Sequence, residues 1–347
     1  MDFWRKLPKP IIGLSPMDGV TDAPFRSIVK RCGNPDVLFT EFVHVQALWR
    51  GRLEVYKNLL FTNREHPIVA QVFGSELEYF YKAAHIVCEL GFDGIDINMG
   101  CPANLVVKRG GGASLITTPK LAQEIIRKTQ QGVKDWASGQ TLEELGLNRG
   151  KINYIENLNT SHKGKRALIP VSVKTRIGYK ENEVNSWIPT LLETHPAAIT
   201  VHGRTFKQLY TGKADWDAIG SVAALVKKNG TIYLGNGDVA SIQEGKAKAK
   251  QYGVDGVLVG RAALGNPWLF SSANPSLEER LSTLSEHIRL HIKAKGPQSF
   301  HQLKKHFGWY CKGFPGAKEL RIALIASRNP NEAEATISSS INSFISS

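Results

Sequence analysis

Cys101 ends a short apolar run, Gly94-Ile95-Asp96-Ile97-Asn98-Met99-Gly100-Cys101-Pro102. Ile95 and Ile97 flank Asp96 in strand-like alternation, and Gly100 and Pro102 mark a tight turn at its exit. In parallel α/β proteins ligands sit at the C-terminal ends of strands, so a thiol delivered there is a candidate for chemistry. By itself such a cysteine is more often a small buried hydrophobe. Three polar residues occupy comparable places: Gln71 in Ile68–Gly74, Lys174 in Val171–Arg176 and His202 in Ile199–Arg204. A lysine in an apolar strand either faces a ligand at the mouth of the fold or closes a salt bridge inside it. His202 is open to the same two readings, a ligand contact or a satisfied core residue. Two further strand exits, Gly235-Asn236-Gly237-Asp238 and Gly260-Arg261-Ala262-Ala263, carry glycines that let a ligand approach backbone N–H groups. In barrel enzymes this pair of loops is the usual phosphate site; otherwise they are two ordinary turns. Gly110-Gly111-Gly112 is a weaker phosphate signal and suits a flexible lid. A thiol, a lysine and a phosphate anchor fit a flavin mononucleotide (FMN) better than a dinucleotide, since no GxGxxG follows the first strand and no HExxH or carboxylate-rich metal cluster occurs.

The elements that must position these residues form a repeating pattern. Strand-like runs recur at Ile11–Met17, Val37–Phe42, Pro67–Gly74, Gly94–Gly100, Val171–Gly178, Ala198–Gly203, Thr231–Gly237 and Gly256–Gly260. Segments of helical period such as Glu76–Leu90 and Pro119–Thr129 lie between them. Eight such alternations predict a (β/α)8 TIM barrel over residues 1–271, its strands nearly continuously apolar because both faces are covered. The helix ending near Gln131 is followed by a polar stretch rich in Asn, Gly and Lys, which reads as an insertion at 132–168. After Phe270 the strands stop. Leu277, Leu281, Leu284 and Ile288 recur at helical spacing, Ser276 or Pro275 starts that helix, and a last helix covers 330–346. Residues 272–347 are therefore expected to form a small C-terminal helical domain.

The chain of 347 residues is 42% hydrophobic and 22% charged, ample for a sizeable core. Its four cysteines lie far apart with no CxxC pair, which points to reduced thiols in the cytoplasm. No leader-like or membrane-spanning apolar run is expected. The formal net charge is +13, spread as 34 basic against 25 acidic residues in 1–271 and 10 against 6 in 272–347. That balance favours a polyanionic partner, although many basic proteins bind no nucleic acid.

Taken together, these stretches resemble the tRNA-dihydrouridine synthases. The resemblance is carried by Ser15-Pro16-Met17-Asp18-Gly19-Val20-Thr21-Asp22-Ala23-Pro24-Phe25-Arg26, Gln71-Val72-Phe73-Gly74, Asp96-Ile97-Asn98-Met99-Gly100-Cys101-Pro102 and Val173-Lys174-Thr175-Arg176. It continues through His202-Gly203-Arg204-Thr205, Ala214-Asp215-Trp216, Asn236-Gly237-Asp238, Gly260-Arg261-Ala262-Ala263, Gly265-Asn266-Pro267-Trp268 and Gly313-Phe314-Pro315-Gly316-Ala317-Lys318-Glu319-Leu320-Arg321. It spans about residues 10 to 330 in unbroken order.

The resemblance implies reduction of the C5–C6 double bond of tRNA uridines, with FMN in the barrel mouth and NADPH as reductant. It places Pro16, Met17 and Asp18 near the flavin ring, and Gln71 and Lys174 at its polar edge. Asn236, Gly237, Asp238, Gly260 and Arg261, with His202, would hold the phosphate. Cys101 would be the general acid, protonated near neutrality as an ordinary thiol is. Asn98 and Arg176 would orient the uracil, and Lys108 and Arg109 would contact tRNA phosphates or form a solvated charged loop. A monomer working in the cytoplasm is expected. Two features depart from the family pattern: the insertion at 132–168, and Pro102-Ala103-Asn104-Leu105, where lysine is common after the cysteine. Two other functions remain compatible with the residues: an FMN barrel reducing a small molecule such as a dihydropyrimidine, and a flavin-free tRNA-binding protein.

Overall fold

The structure, a computed structural model, describes residues 2–158 and 166–345. The chain falls into two compact units. The first comprises Met1–Thr21 and Asp36–Gly260, the second Asp22–Pro35 and Arg261–Ser347.

The first unit is the expected barrel. Its strands are β1 (Ile11–Leu14), β2 (Leu38–Phe39), β3 (Val43–His44), β4 (Ile68–Phe73), β5 (Gly94–Met99), β6 (Val171–Arg176), β7 (Ala198–His202), β8 (Ile232–Asn236) and β9 (Gly256–Val259). All pairings are parallel, in the order β1-β9-β8-β7-β6-β5-β4-β2, with β3 also on β4. The backbone N–H of Leu14 donates to Val37 O at 3.0 Å and that of Asp36 to Ile12 O at 3.0 Å, which closes the ring between β1 and β2. The run at Val37–Phe42 is thus not one strand. It breaks into β2 and β3, and the Thr40 hydroxyl accepts the Gln71 N–H at 3.0 Å beside the break. One end of the barrel is filled by Trp4, Ile11, Val37, Phe39, Val69, Ile232, Leu234 and Leu258, all buried.

Strands β5 and β6 are not continuously apolar as expected. Ile95, Ile97, Val171 and Val173 alternate with Asp96, Asn98, Ser172, Lys174 and Arg176. The apolar set faces the surrounding helices, where the Trp187 indole donates to Thr175 Oγ1 at 2.9 Å. The polar set lines the lumen, as period-two alternation requires. The helix expected to stop near Gln131 runs from Pro119 to Ala137, because Val133 and Trp136 continue its buried face. Of the expected insertion, 159–165 lie outside the described residues. The helix Arg149–Leu158 packs beside Leu53–Leu59: Lys151 Nζ donates to Trp49 O at 2.7 Å, and the Tyr154 and Tyr56 rings are 5.9 Å apart.

The second unit is helical: Ala23–Cys32, Leu277–Lys295, Lys304–Tyr310, Ala317–Ala326 and Pro330–Ile345. Ser276 starts the long helix with a capping box, its Oγ accepting Glu279 N–H at 3.1 Å while Glu279 Oε2 accepts Ser276 N–H at 2.7 Å. Leu281, Leu284 and Ile288 are buried with Phe300, Leu303 and Phe307. The helix Ala23–Cys32, which precedes β2 in sequence, belongs to this unit, and the long barrel segment resumes only at Asp36.

Candidate active site

The polar lumen residues of β4, β5 and β6 form one hydrogen-bonded chain. Parallel register sets Gln71 beside Asp96 and Asp96 beside Ser172. Ser172 Oγ donates to Asp96 Oδ1 at 2.6 Å, and Gln71 Nε2 donates to Asp96 Oδ2 at 2.7 Å. Asn98 Nδ2 then donates to Gln71 Oε1 at 3.0 Å. Asn98 Oδ1 accepts the backbone N–H groups of Gly100 at 3.0 Å and Cys101 at 2.8 Å. The amide of Asn98 therefore shapes the turn that carries the thiol.

Two more contacts fix that turn. Arg176, 3% exposed, donates from Nε to Gly100 O at 2.7 Å. Its Nη1 donates to Thr205 O and Leu209 O, both at 3.0 Å, which ties the loop after β7 to the same point. On the far side, Ala113 N–H donates to Cys101 O at 3.1 Å.

Charge at the site is set by burial. It raises the Cys101 thiol above its ordinary range, with the Ala103 backbone acting against it and Asp18 adding to it. The thiol is protonated at neutral pH. Burial first, and then the neighbouring charge of Arg176, lower Lys174 to about 8 against the opposing pull of Asp96 and Cys101. Its ammonium makes no hydrogen bond among the described residues. Asp96, which unlike half-buried Lys174 is fully buried, is raised to about 6 by burial, against the hydrogen bonds from Ser172 and Gln71 and the charge of Lys174.

Asn98, Lys174 and Thr200 stand at one level across β5, β6 and β7. Gln71 is fully buried and both ends of its amide are engaged within the protein. Asn98 and Arg176, expected to orient a substrate, are first of all scaffolding for the cysteine turn. Each retains spare donors, the second Nδ2 hydrogen of Asn98 and Nη2 of Arg176.

At the exits of β7 and β8, Arg204 is 3% exposed along its side chain and donates to Asp238 Oδ2 at 2.5 Å, Gly212 O at 2.6 Å and Thr211 O at 3.2 Å. Asp238 also accepts Ala214 N–H at 2.8 Å. Its carboxylate is neutralised within the protein, so it does not repel an anion. Asn236 donates to Leu258 O at 2.8 Å and holds β8 on β9. Gly237 has φ +121°, and a Cβ there would lie 2.7 Å from Ala214 Cβ and 2.9 Å from the His202 ring. Gly237 therefore allows the His202 ring to pack against this exit. Gly260 lies against Met17, with a Cβ in ordinary contact at 3.4 Å from its sulfur. Pro16 and Met17 are half-buried and Asp18 exposed in the turn after β1, where Thr21 N–H donates to Met17 O at 3.0 Å. Arg261 opens a short helical turn in the second unit. Lys108 and Arg109 are exposed on and just after the helix Asn104–Lys108, and Ser75 Oγ donates to Arg109 O at 2.9 Å.

Sequence reasoning did not single out Asp96, Ser172 or Arg204 for a role. The signal for the first two was available: Asp-x-Asn in β5 and Ser-x-Lys-x-Arg in β6 put polar side chains on one face. Among the described residues, no group of His, Cys, Asp and Glu could hold a metal ion.

A family model described as Dihydrouridine synthase (Dus) matches residues 13–141 and 153–346. Only 142–152, within the expected insertion, separate the two matched stretches. The chain is similar to a "Probable tRNA-dihydrouridine synthase 2" of Bacillus subtilis (strain 168), at 34% identity over 345 residues, covering 97% of this chain and 95% of that protein. It is similar to a "Probable tRNA-dihydrouridine synthase" of Staphylococcus aureus (strain Mu50), at 34% identity over 97% of this chain and 94% of that one. A Staphylococcus epidermidis protein of the same description is 33% identical over 96% of this chain and 94% of its own length.

Proposed function

The chain belongs to the dihydrouridine synthase family, and from that premise we propose that it reduces the C5–C6 double bond of uridines in tRNA, with FMN at the barrel mouth and NADPH as reductant. The observation that carries the reading is a protonated thiol, Cys101, held at the C-terminal end of a barrel strand near a lysine ammonium that has no hydrogen-bond partner among the described residues. Such an ammonium suits a ring with hydrogen-bond acceptors at its edge, so the residues present fit a flavin.

When bound, the flavin supplies hydride to one carbon of the target bond. The neighbouring carbon becomes enolate-like and takes a proton from the Cys101 Sγ–H, which leaves a thiolate that solvent reprotonates. Lys174 offers positive charge in a site largely shielded from water, where it stabilises electron-rich groups. The spare donors of Asn98 and Arg176 orient the base. Pro16, Met17, Asp18 and Gln71 form the surroundings of the ring. Asn236, Gly237, Asp238 and Gly260, with His202, form the phosphate end; the Arg204–Asp238 pair supports them by removing the local negative charge. The target base must leave its stack to enter the mouth.

The basic surface binds tRNA through its phosphates. In the barrel unit Lys108 and Arg109 are exposed beyond the cysteine. In the helical unit Arg289, Lys293, Lys305, Lys312, Lys318 and Arg321 are exposed. No helix among the described residues is long and apolar enough to cross a membrane. The reading takes the chain as a cytoplasmic monomer.

The test is direct. The purified protein should show flavin absorbance and, with NADPH, form dihydrouridine in unmodified tRNA. Flavin-dependent turnover of a free dihydropyrimidine or enone with no change in tRNA would overturn the tRNA assignment. A colourless protein that still binds tRNA would overturn the enzymatic one.

A further inference from the structure

We propose that Asp96 is a positioning residue for Cys101, acting through the side chains of Gln71 and Asn98; the proposal rests on the reading of Cys101 as proton donor. Both ends of the chain Asp96–Gln71–Asn98 have fixed polarity. At one end the N–H groups of Gly100 and Cys101 can only donate, so Asn98 must present Oδ1 to them and Nδ2 to Gln71. At the other end the carboxylate of Asp96 accepts, so Gln71 must present Nε2 to it and Oε1 to Asn98. The two requirements agree, and each amide has one orientation that satisfies both.

Without the acceptor at position 96, the Gln71 amide loses the bond that holds it. A rotated Gln71 would face Asn98 donor to donor, and Asn98 could then satisfy Gln71 only by turning Oδ1 away from the cysteine turn. Asp96 is 1% exposed and Gln71 0%, so no water takes over these bonds without a rearrangement of the lumen. Ser172 completes the arrangement by holding the second carboxylate oxygen at 2.6 Å. Asp96 thus reaches the thiol through two side chains while touching neither the thiol nor a substrate.

A charge-neutral but bond-preserving change separates this role from a simple counter-ion to Lys174. In Asp96→Asn, the new carbonyl still accepts from Gln71, and the new amide donates to the Ser172 hydroxyl. In Asp96→Leu and in Gln71→Met, the chain is cut at successive links with side-chain volume roughly kept. The first readout is amide hydrogen exchange of Gly100 and Cys101 in the holoenzyme without tRNA. Exchange should be close to wild type in Asp96→Asn and faster by on the order of tenfold in the other two. The second is single-turnover dihydrouridine formation, expected to fall by about ten- to a hundredfold in the cut variants and to be largely rescued in Asp96→Asn.

Unchanged exchange in both cut variants would overturn the proposal. So would an Asp96→Asn variant as impaired as Asp96→Leu, since charge would then be what matters. Faster exchange with undiminished single-turnover rate would overturn the positioning role. If the wild-type protein fails to reduce tRNA, the functional reading falls instead, and exchange measured without substrate tells the two failures apart.

Discussion

Gly112 lies directly against Cys101. A Cβ on Gly112 would stand 2.7 Å from the Cys101 carbonyl oxygen and 3.2 Å from its Cβ, and Gly112 has φ +60°. Only glycine fits both the space and the backbone conformation. The substitution Gly112→Ala should destabilise the protein by about 1–3 kcal/mol and displace the cysteine turn. A displacement near 1 Å would lower single-turnover reduction by on the order of a hundredfold. Thermal denaturation together with a rapid-quench assay checks both; wild-type rates in Gly112→Ala would show that the close packing has no part in placing the thiol.

Cys101→Ala should retain flavin and bind tRNA as the wild type does, because Asn98 and Arg176 hold the turn through backbone groups of Gly100 and Cys101, and the thiol's own bond is to the Ala103 backbone alone. Product formation in a single turnover should fall by about 10² to 10⁴. Near-normal product would remove Cys101 from the role of proton donor.

Lys174 gives the alkaline limb of the pH profile. Its folded value of about 8 means the ammonium is present below that pH and lost above it, so kcat/KM should fall with one-proton slope as pH rises through 8. The stability consequence has the opposite sense. An unfolded lysine keeps its proton to about 10.5, so between 8 and 10.5 the unfolded state binds more protons and stability rises with pH. At pH 7 the buried charge costs up to about 3 kcal/mol. Lys174→Met should therefore be more stable at pH 7 and nearly inactive, its stability advantage shrinking as pH rises toward 10.5. Denaturant titrations at pH 7 and pH 10 measure this.

The helical unit should be acid-labile. Burial lowers His287 to about 4, with Asp22 acting against this and His291, Lys295 and Lys305 adding to it. His306 is lowered well below its usual value, by burial first and then by His287. Among the described residues neither ring nitrogen of His287 has a hydrogen-bond partner, and Phe25, His306 and Tyr310 pack around the ring. The unfolded histidine takes up its proton near 6.5 and the folded one only far below, so stability falls as pH falls from about 6.5 toward 4, by up to about 1.4 kcal/mol per pH unit per histidine. Asp22, 2.7 Å from Lys295 Nζ and 3.5 Å from His291 Nδ1, is held well below the carboxylate range despite burial, and its contribution is lost only under stronger acid. Hydrogen exchange of peptides from Leu277–Lys295 across pH 4 to 7 should show this loss, and His287→Phe should flatten it.

Much of the fold is legible along the chain because each barrel strand carries its own local signals: a short apolar run, a glycine or proline at its exit and a helical segment after it. The long helix Leu277–Lys295 was legible for the same reason, from Ser276 or Pro275 at its start and four apolar residues at helical spacing, whereas the reciprocal bond from Glu279 emerged only in the structure. The break between β2 and β3 was not, since Val37–Phe42 reads as one apolar run, and its interruption depends on pairing with β4, where residues 40–42 stand opposite only 70–71. Nor was the end of the helix at Ala137, where buried Val133 and Trp136 outweigh a polar sequence around them. The helix Ala23–Cys32 sits among barrel elements in sequence, yet its Phe25 ring packs beside His287 and His306 of the helical unit.

The sequence by itself determined that a cysteine, a lysine and glycine-bearing turns stand at strand exits, because residue type and local periodicity are properties of the chain. The tertiary structure alone decided what those residues do for one another. Gln71, Asp96, Asn98 and Ser172 become one hydrogen-bonded chain only when β4, β5 and β6 lie in a particular parallel register. That register is a relation between strands far apart in the sequence, and no single strand's sequence names the residue of its neighbour that it will face. Arg176 likewise carries in its own strand no trace of the loop near Thr205 and Leu209 that it binds. Burial, which keeps the Cys101 thiol protonated and draws Lys174 toward neutrality, exists only once the ring is closed.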